Sequence, residues 1–255
     1  MLSNSTIETL MNHRSIREYT DEIPSEEMIE TIVKAGQQAA FAGQLGSVIL
    51  SRKKDKHPFG APLYFIICVD IHRMQKVMKK RNWKMISSDA AMLLFGMQDA
   101  SYMAQNLVIA AESLGLGTCY LGFVPFMADK LILEYDLPKK VFPMVGISVG
   151  YPAENPPVRP RYPLNLSCFD GKYPEFTDAQ IKEAMKQMDE GYLAQDYYQD
   201  GKLMITLDKE REETFNGKTY SWTEHISRKW GLWFESPDKL LEQFAKCGFD
   251  LSGKE

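Results

Sequence analysis

The feature that most limits the folds open to this chain is its longest apolar segment, residues 90–115. Leucine, methionine and alanine recur there around the whole circumference of a helix rather than along one stripe. Such a helix has no polar face to turn toward water, so we expect it to be buried on nearly all sides, in a core or at a subunit interface. Asp89 is predicted to cap this helix, and Gly115 and Gly117 are predicted to end it.

Apolar runs on both sides of the long helix predict a sheet. These runs are short and typical of buried strands, and they lie at 62–70, 119–124 and 142–151. Further helices are predicted before and after them, at 5–13, 25–38, 126–136, 177–197, 222–231 and 237–247. This order of elements predicts an α+β fold in which helices pack on a sheet.

Serine residues indicate where the first two helices begin. Ser5 is predicted to cap the first helix. Ser25 is predicted to cap the second, because Glu26 and Glu27 follow it and acidic residues are favourable in the first turn. The charged residues 71–88 are predicted to form a partly helical surface insertion.

Composition narrows the class of function. Lysine and arginine total 30 against 34 aspartate and glutamate residues, a net charge of −4, so the chain lacks the basic excess that nucleic-acid binding needs. No apolar run reaches the roughly 18–20 residues of a membrane span, and the N-terminus lacks the pattern of a secretory signal. We therefore expect a cytoplasmic protein with no nucleic-acid or membrane partner. The four cysteines are widely separated, which predicts reduced thiols and no metal site.

Two short basic segments are the candidate binding residues. The first, His13-Arg14-Ser15-Ile16-Arg17, places two guanidiniums, an imidazole and a hydroxyl within five residues, a composition that suits an anion. Alternate residues of an extended segment face the same way, so His13, Ser15 and Arg17 could meet one ligand. The second is Arg159-Pro160-Arg161. A phosphate held between the two segments would explain both, and the alternative for each is a solvated loop.

Other catalytic patterns are absent from the sequence. It has no phosphate-binding P-loop, no dinucleotide-binding glycine motif after a strand, no zinc-protease helix and no serine nucleophile elbow. His57, His72 and His225 are isolated. Gln105, Asn106 and Glu112 interrupt the apolar long helix, and such polar groups need partners where they are buried.

Three segments match known motifs, and they occur in the same order along the chain as those motifs do. Residues 13–17 look like a known HRSIR signature, residues 104–122 are similar to a central helix with its following strand, and residues 149–163 match a second basic motif. Together they resemble the nitroreductase family of flavoproteins. The branch that looks closest is the NADPH-flavin oxidoreductase and oxygen-insensitive nitroreductase type, whose C-terminal helical extension resembles the segment that begins at 221–226.

The resemblance implies a single nitroreductase-like domain over residues 1–255, with a core at about 5–165 and a C-terminal extension at about 166–255. It implies a central mixed or antiparallel sheet and an intertwined homodimer with FMN at its interface. Hydride from NADPH or NADH would pass through the flavin to a small-molecule acceptor, such as a nitroaromatic, a quinone or free flavin, by ping-pong exchange. The flavin would supply the chemistry, so no catalytic side chain is expected. The alternative is a non-catalytic flavin-binding or storage protein on the same fold.

The resemblance also assigns residues to the cofactor. Arg17 is placed near the N1/O2 edge of the flavin ring, where a guanidinium stabilises negative charge. The implied contacts to the FMN phosphate and ribityl chain are His13, Arg14, Ser15, Arg159 and Arg161. The implied contacts around the ring are Ala39, Ala40, Phe41, Gln44, Tyr120, Leu121, Gly122 and Phe123.

The chain departs from that branch in two places. Phe123 and Phe126 stand where the branch often has a glycine and a basic residue, and an aromatic ring there would narrow the substrate side of the flavin or stack on an acceptor. The region that would bind the 2′-phosphate of NADPH is not matched, and its candidates are Lys209, Arg211 and Lys218.

Overall fold

The computed structural model describes residues 2–198, 203–208, 210–232 and 237–252. The chain divides into two compact units, the first formed by Met1–Pro156 with Ser236–Glu255 and the second by Pro157–Glu235. The expected single domain with its core at about 5–165 stays a prediction.

The first unit is built on a four-stranded antiparallel sheet with strand order β1-β2-β4-β3. Its strands are β1 Gly46–Ser51, β2 Leu63–Asp70, β3 Gly117–Leu121 and β4 Val141–Gly150. Three of these were expected from their apolar runs, and β1 was not predicted. β2 pairs with both β1 and β4 and is buried along nearly its whole length, which is why its sequence is apolar without alternation.

Eight helices are described in the chain. They are α1 Ser5–Met11, α2 Glu26–Gln37, α3 Ile71–Lys80, α4 Asp89–Ser113, α5 Ala128–Tyr135, α6 Asp178–Leu193, α7 Trp222–Gly231 and α8 Pro237–Lys246. Ser25 caps α2 as predicted, with its hydroxyl accepting from Met28 N. The other two cap predictions are wrong by one residue. Asn4 rather than Ser5 caps α1, and Ser88 rather than Asp89 caps α4, because these side-chain oxygens reach the amide three residues on.

The long helix α4 packs against the sheet and α2 but is not covered on all sides. Its inner face joins the main hydrophobic core through Leu93, Ala100, Ala104, Leu107, Val108 and Ala111. Leu94, Phe95 and Tyr102 lie on the opposite side with 57%, 46% and 48% of their surface exposed. The prediction that α4 is buried on nearly all sides is therefore wrong for one chain alone, since no described element of this unit covers that stripe.

The last described helix, α8, completes the core of the first unit. Phe244, Cys247 and Phe249 are buried in the main cluster, and the Phe244 ring lies 4.4 Å from the ring of Phe142 on β4. Lys140 N donates to Cys247 O at 2.7 Å. The C-terminal segment is therefore part of this unit's interior.

The second unit centres on an aromatic cluster between α6 and α7. Tyr192, Tyr198 and Tyr220 are buried there, together with Met188. The guanidinium of Arg228 is almost fully buried and is held by two carboxylates, with Glu213 at 2.6 and 2.7 Å and Glu224 at 2.7 Å. None of the described helices in either unit is long and apolar enough to cross a bilayer.

Candidate functional site

The first basic segment follows α1 and is fixed to the edge of the sheet by its backbone. Ile16 N donates to Thr118 O at 2.8 Å, and Ser15 forms an isolated bridge with Thr118 on β3. Ile16 is buried against Gly117, where a Cβ atom would lie only 2.7 Å from Ile16 Cγ1. The backbone amide of Arg17 donates to the Glu154 carboxylate. The segment is therefore an ordered strand-like edge, which argues against the alternative of a solvated turn.

A partly buried carboxylate orients the imidazole of this segment. Glu112 Oε1 lies 2.8 Å from His13 Nδ1 and accepts from Thr118 Oγ1 at 2.7 Å. Glu112 is one of the polar residues that interrupt the apolar long helix, and its partners are the side chains of His13 and Thr118. The other ring nitrogen of His13 has no hydrogen bond among the described residues, so it is the nitrogen available to a ligand.

Arg14 lines a cleft of about 480 Å³. Its guanidinium donates to Asn155 Oδ1 at 2.5 Å and to Pro156 O at 3.2 Å. The cleft is also lined by Glu8, Glu112 and Glu154. Arg14 is therefore held by the segment that follows β4, which fixes the direction of its charge.

Ser15 and Arg17 both act on the thiol of Cys119, which faces them from β3. Burial raises the pKa of Cys119, while the Arg17 charge and a hydrogen bond from Ser15 lower it by less. The Arg17 guanidinium also lies 6.0 Å from the centre of the Phe59 ring. Ser15 and Arg17 therefore both lie near Cys119 on β3. That His13, Ser15 and Arg17 meet one ligand stays a prediction.

The end of β3 presents the residues implied to line the flavin ring. Tyr120 donates to Gln105 on α4 at 3.2 Å, and Leu121 is buried beneath the sheet edge. Gly122 has open space around it, since no atom lies within 4 Å of the position of a Cβ. Phe123 is half exposed. A ring that approached the β3 end would meet backbone at Gly122 rather than a side chain.

A loop between α2 and β1 holds the four remaining implied contacts of the first unit. Ala39, Ala40, Phe41 and Gln44 line a second cleft of about 440 Å³. Asp99 on α4, only 3% exposed, holds this loop by accepting three backbone N–H bonds, from Ala42 at 2.6 Å, Gly43 at 3.0 Å and Leu45 at 2.9 Å. The sequence reasoning missed Asp99, although a carboxylate within an apolar helix is a signal that it has buried partners.

Arg73 on α3 holds the same loop from its other side. Its guanidinium donates to the carbonyl oxygens of Gln44 and of Gly46, the latter at 2.8 Å. Gln44 has a left-handed backbone, with φ of 50°, and the bond to its carbonyl helps to keep that conformation. Arg73 was also missed, because residues 71–88 were interpreted as a surface insertion.

The second basic segment lies in the second unit. Arg159 donates to Gln195 at 2.7 Å, and its guanidinium carbon stacks 3.9 Å from the centre of the Tyr197 ring. Arg161 donates to the carbonyl oxygens of Arg159 and Pro160. Closure of the two basic segments on one phosphate stays a prediction.

Of the three candidates for a nucleotide 2′-phosphate, two lie in the described part of the chain. Arg211 and Lys218 are exposed in the second unit. Lys209 lies outside the described residues. Their role stays a prediction.

Comparison with known proteins gives consistent matches. Residues 48–151 match the model of the nitroreductase family. The FMN reductase (NADPH) of Bacillus subtilis is 31% identical over 239 residues, which cover 88% of this chain and 90% of that protein. The oxygen-insensitive NADPH nitroreductase of Salmonella typhimurium is 28% identical over 258 residues, which cover 96% and 98%. The solved structure of NfrA2 from B. megaterium superposes with a TM-score of 0.83 at 27% identity and covers 97% of this chain and 99% of that chain.

Proposed function

This chain belongs to the nitroreductase family, and from that premise we propose that it is an FMN-dependent oxidoreductase that takes hydride from NAD(P)H and reduces small-molecule acceptors. Nitroaromatics, quinones and free flavin are the acceptor classes proposed. Bound FMN would supply the redox chemistry, accepting hydride at N5 and passing it on by ping-pong exchange. The side chains of the protein then bind, orient and stabilise charge.

The observation that best supports this proposal is the fixed first basic segment beside the open end of β3. Ile16 anchors the segment to Thr118, while Gly122 leaves the strand end free of side-chain atoms. Cationic and hydroxyl donors at one edge and exposed backbone at the other fit a ligand with a phosphate at one end and a flat ring at the other.

The donors of this segment fit a phosphate dianion and a ribityl chain. His13 is oriented by Glu112, and Arg14 is oriented by Asn155, so little side-chain freedom is lost when they bind. Ser15 adds a hydroxyl donor. We propose that Arg159 and Arg161 of the second unit contribute further charge to the same phosphate.

The ring end fits the residues assigned to it. The guanidinium of Arg17 would stabilise negative charge that develops at N1/O2. Tyr120, Leu121, Gly122 and Phe123 would line one side of the ring. The loop residues Ala39, Ala40, Phe41 and Gln44 would lie near the ribityl chain and ring, in the position that Asp99 and Arg73 impose on that loop.

We also propose a homodimer. The exposed stripe of Leu94, Phe95 and Tyr102 on α4 is an apolar surface that a second copy would bury in an isologous contact. Light scattering at twice the chain mass of 29.2 kDa is the expected result, and a clean monomer would contradict the dimer.

The function is tested by the visible spectrum of the purified protein with and without NADPH or NADH under anaerobic conditions. We expect flavin absorbance bands that bleach when the nucleotide is added and recover when a nitroaromatic is added. A colourless protein that takes up no added FMN would refute the proposal. Bound flavin that neither nucleotide bleaches would indicate the storage alternative.

The site assignment is tested by Arg17→Ala and Arg161→Ala, with Arg52→Ala as the matched control. Arg52 is an exposed arginine that pairs with Glu26 on α2, away from the proposed site. We expect weaker FMN binding in both site variants and wild-type binding in the control. Unchanged FMN affinity in both site variants would remove the assignment.

A further inference from the structure

Helix α3 and the turn after it concentrate positive charge in a chain whose net charge is −4. Between residues 71 and 88 there are six lysines and arginines and no carboxylate. They are Arg73, Lys76, Lys79, Lys80, Arg81 and Lys84, and all six are exposed. The proposed function has so far used only Arg73, as a support for the loop between α2 and β1.

The spacing of these residues places several of them on one face of α3. Arg73, Lys76, Val77 and Lys80 follow the i, i+3, i+4, i+7 pattern of a single helix face. Val77 is 54% exposed, so this face carries one exposed apolar side chain among three cationic ones.

The same helix forms one wall of a cleft of about 330 Å³. The cleft is lined by Arg73, Met74 and Val77 from α3 and by Phe41, Gly43 and Gln44 from the loop opposite. Phe41 is 55% exposed. The walls are therefore largely apolar, with Arg73 as their charged residue. Lys76 and Lys80 flank the wall residue Val77 along α3.

The lysines that flank Val77 are exposed and available to a ligand. Arg73 is occupied, since it donates to Gln44 O and Gly46 O and lies 3.7 Å from the Asp70 carboxylate. Within the described part of the chain, Lys76 and Lys80 have no carboxylate within 4 Å. The two residues that flank Val77 on α3 thus carry uncommitted ammonium groups.

We propose that this cleft is the acceptor subsite and that it selects acceptors that combine an aromatic ring with an anionic group. The proposal rests on the proposed function, because Phe41 and Gln44 are among the residues assigned to the flavin. The ring of the acceptor packs against Phe41, Met74 and Val77. Its anionic group points toward Lys76 and Lys80, which attract it through exposed and therefore salt-sensitive charge interactions.

The test compares two acceptors of the same size and different charge, 4-nitrobenzoate and 4-nitrobenzyl alcohol, at saturating NADPH. The variant is the double substitution Lys76→Glu with Lys80→Glu. The matched control is Lys182→Glu with Lys186→Glu, an exposed lysine pair with the same i, i+4 spacing on α6. These substitutions change surface charge and remove no buried contact, so all variants are expected to fold.

We expect the KM for 4-nitrobenzoate to rise about three- to tenfold in the α3 variant at low salt, with kcat and the KM for the alcohol unchanged. The wild-type preference for the anion is expected to decline as salt is raised. Equal effects on both acceptors, no effect on either, or the same effect in the α6 control would overturn the proposal. A rise in the KM for NADPH alone would also overturn it, since the lysines would then serve the nucleotide.

A binding measurement separates this proposal from the proposed function. Calorimetric titration of the purified protein with 4-nitrobenzoate reports on the cleft without any turnover. Weaker binding in the α3 variant than in the α6 control supports the subsite even if NADPH fails to reduce the protein. Equal binding in the two variants overturns it.

Discussion

Replacing Asp99 by asparagine keeps the shape of this side chain but removes its charge and one of its two acceptor oxygens. In the native chain Oδ1 accepts from Ala42, and Oδ2 accepts from Gly43 and Leu45. The asparagine oxygen is expected to take the side with two donors, which leaves the amide group facing the Ala42 N–H. One charged hydrogen bond is therefore lost, and two become neutral.

The expected loss follows from these three bonds. A hydrogen bond to a charged group contributes about 1.5–3 kcal/mol and a neutral one about 0.5–1.5 kcal/mol. The easier burial of a neutral amide offsets part of the difference. We expect the free energy for opening of the loop to fall by about 1.5–3 kcal/mol.

The assay is amide hydrogen exchange of the native protein, read at Ala42, Gly43 and Leu45. Exchange of these amides should speed up by roughly 10- to 150-fold, because each 1.4 kcal/mol corresponds to a factor of ten. Asp55→Asn is the control, since Asp55 is exposed and lies outside this loop. FMN affinity is measured alongside and should fall in Asp99→Asn only.

Two outcomes would refute the reasoning. Exchange at the three amides within a factor of two of wild type would mean that Asp99 does not hold the loop. Faster exchange with wild-type FMN affinity would mean that the loop is held by Asp99 but does not contact the cofactor.

Two further predictions concern packing and pH. Gly117→Ala should destabilise the first unit by about 1–3 kcal/mol, because the added methyl group overpacks against Ile16, and it should weaken FMN binding. The control Gly231→Ala has open space around it and should not destabilise the protein. Equal melting temperatures for the two variants would contradict this prediction. The Arg228 guanidinium lowers the pKa of Glu213 from 4.5 to about 2, so the pair stabilises the fold above pH 4.5, and that contribution is lost as the pH falls from 4.5 toward 2. Glu213→Gln should flatten the dependence of the melting temperature on pH in this range; a slope equal to that of wild type would exclude the pair as its source.

Apolar patterning was sufficient to place most elements of the fold. The run at 62–70 became β2, and the segment at 90–115 became α4, because burial on the sheet requires apolar residues at those positions. β1 was missed because Gly46–Ser51 is short and is defined by its hydrogen bonds to β2. Those bonds depend on a strand that begins twelve residues after β1 ends, and a local pattern does not show them.

The candidate site also contains residues that the sequence revealed and residues that it did not. His13, Arg14, Ser15 and Arg17 were recognisable because their own side chains carry the chemistry. Asp99 was not, because its partners are backbone amides 54 to 57 residues away. Backbone groups are the same in every residue, so no residue type at the loop marks the contact.

The return of α8 to the first unit has a consequence for how this protein can change. The stretch Pro157–Glu235 is an internal insertion in the chain order of a unit that resumes at Ser236. The sequence of such an insertion can be replaced between its two ends while the first unit keeps its own core. By contrast, the core of the first unit needs residues from the last twenty of the chain. A stop codon after Glu235 would remove Phe244 and Phe249 from the main core. We therefore expect the fold of the first unit to survive exchange of Pro157–Glu235, with loss of the contacts proposed for Arg159 and Arg161, and not to survive deletion of the segment after it.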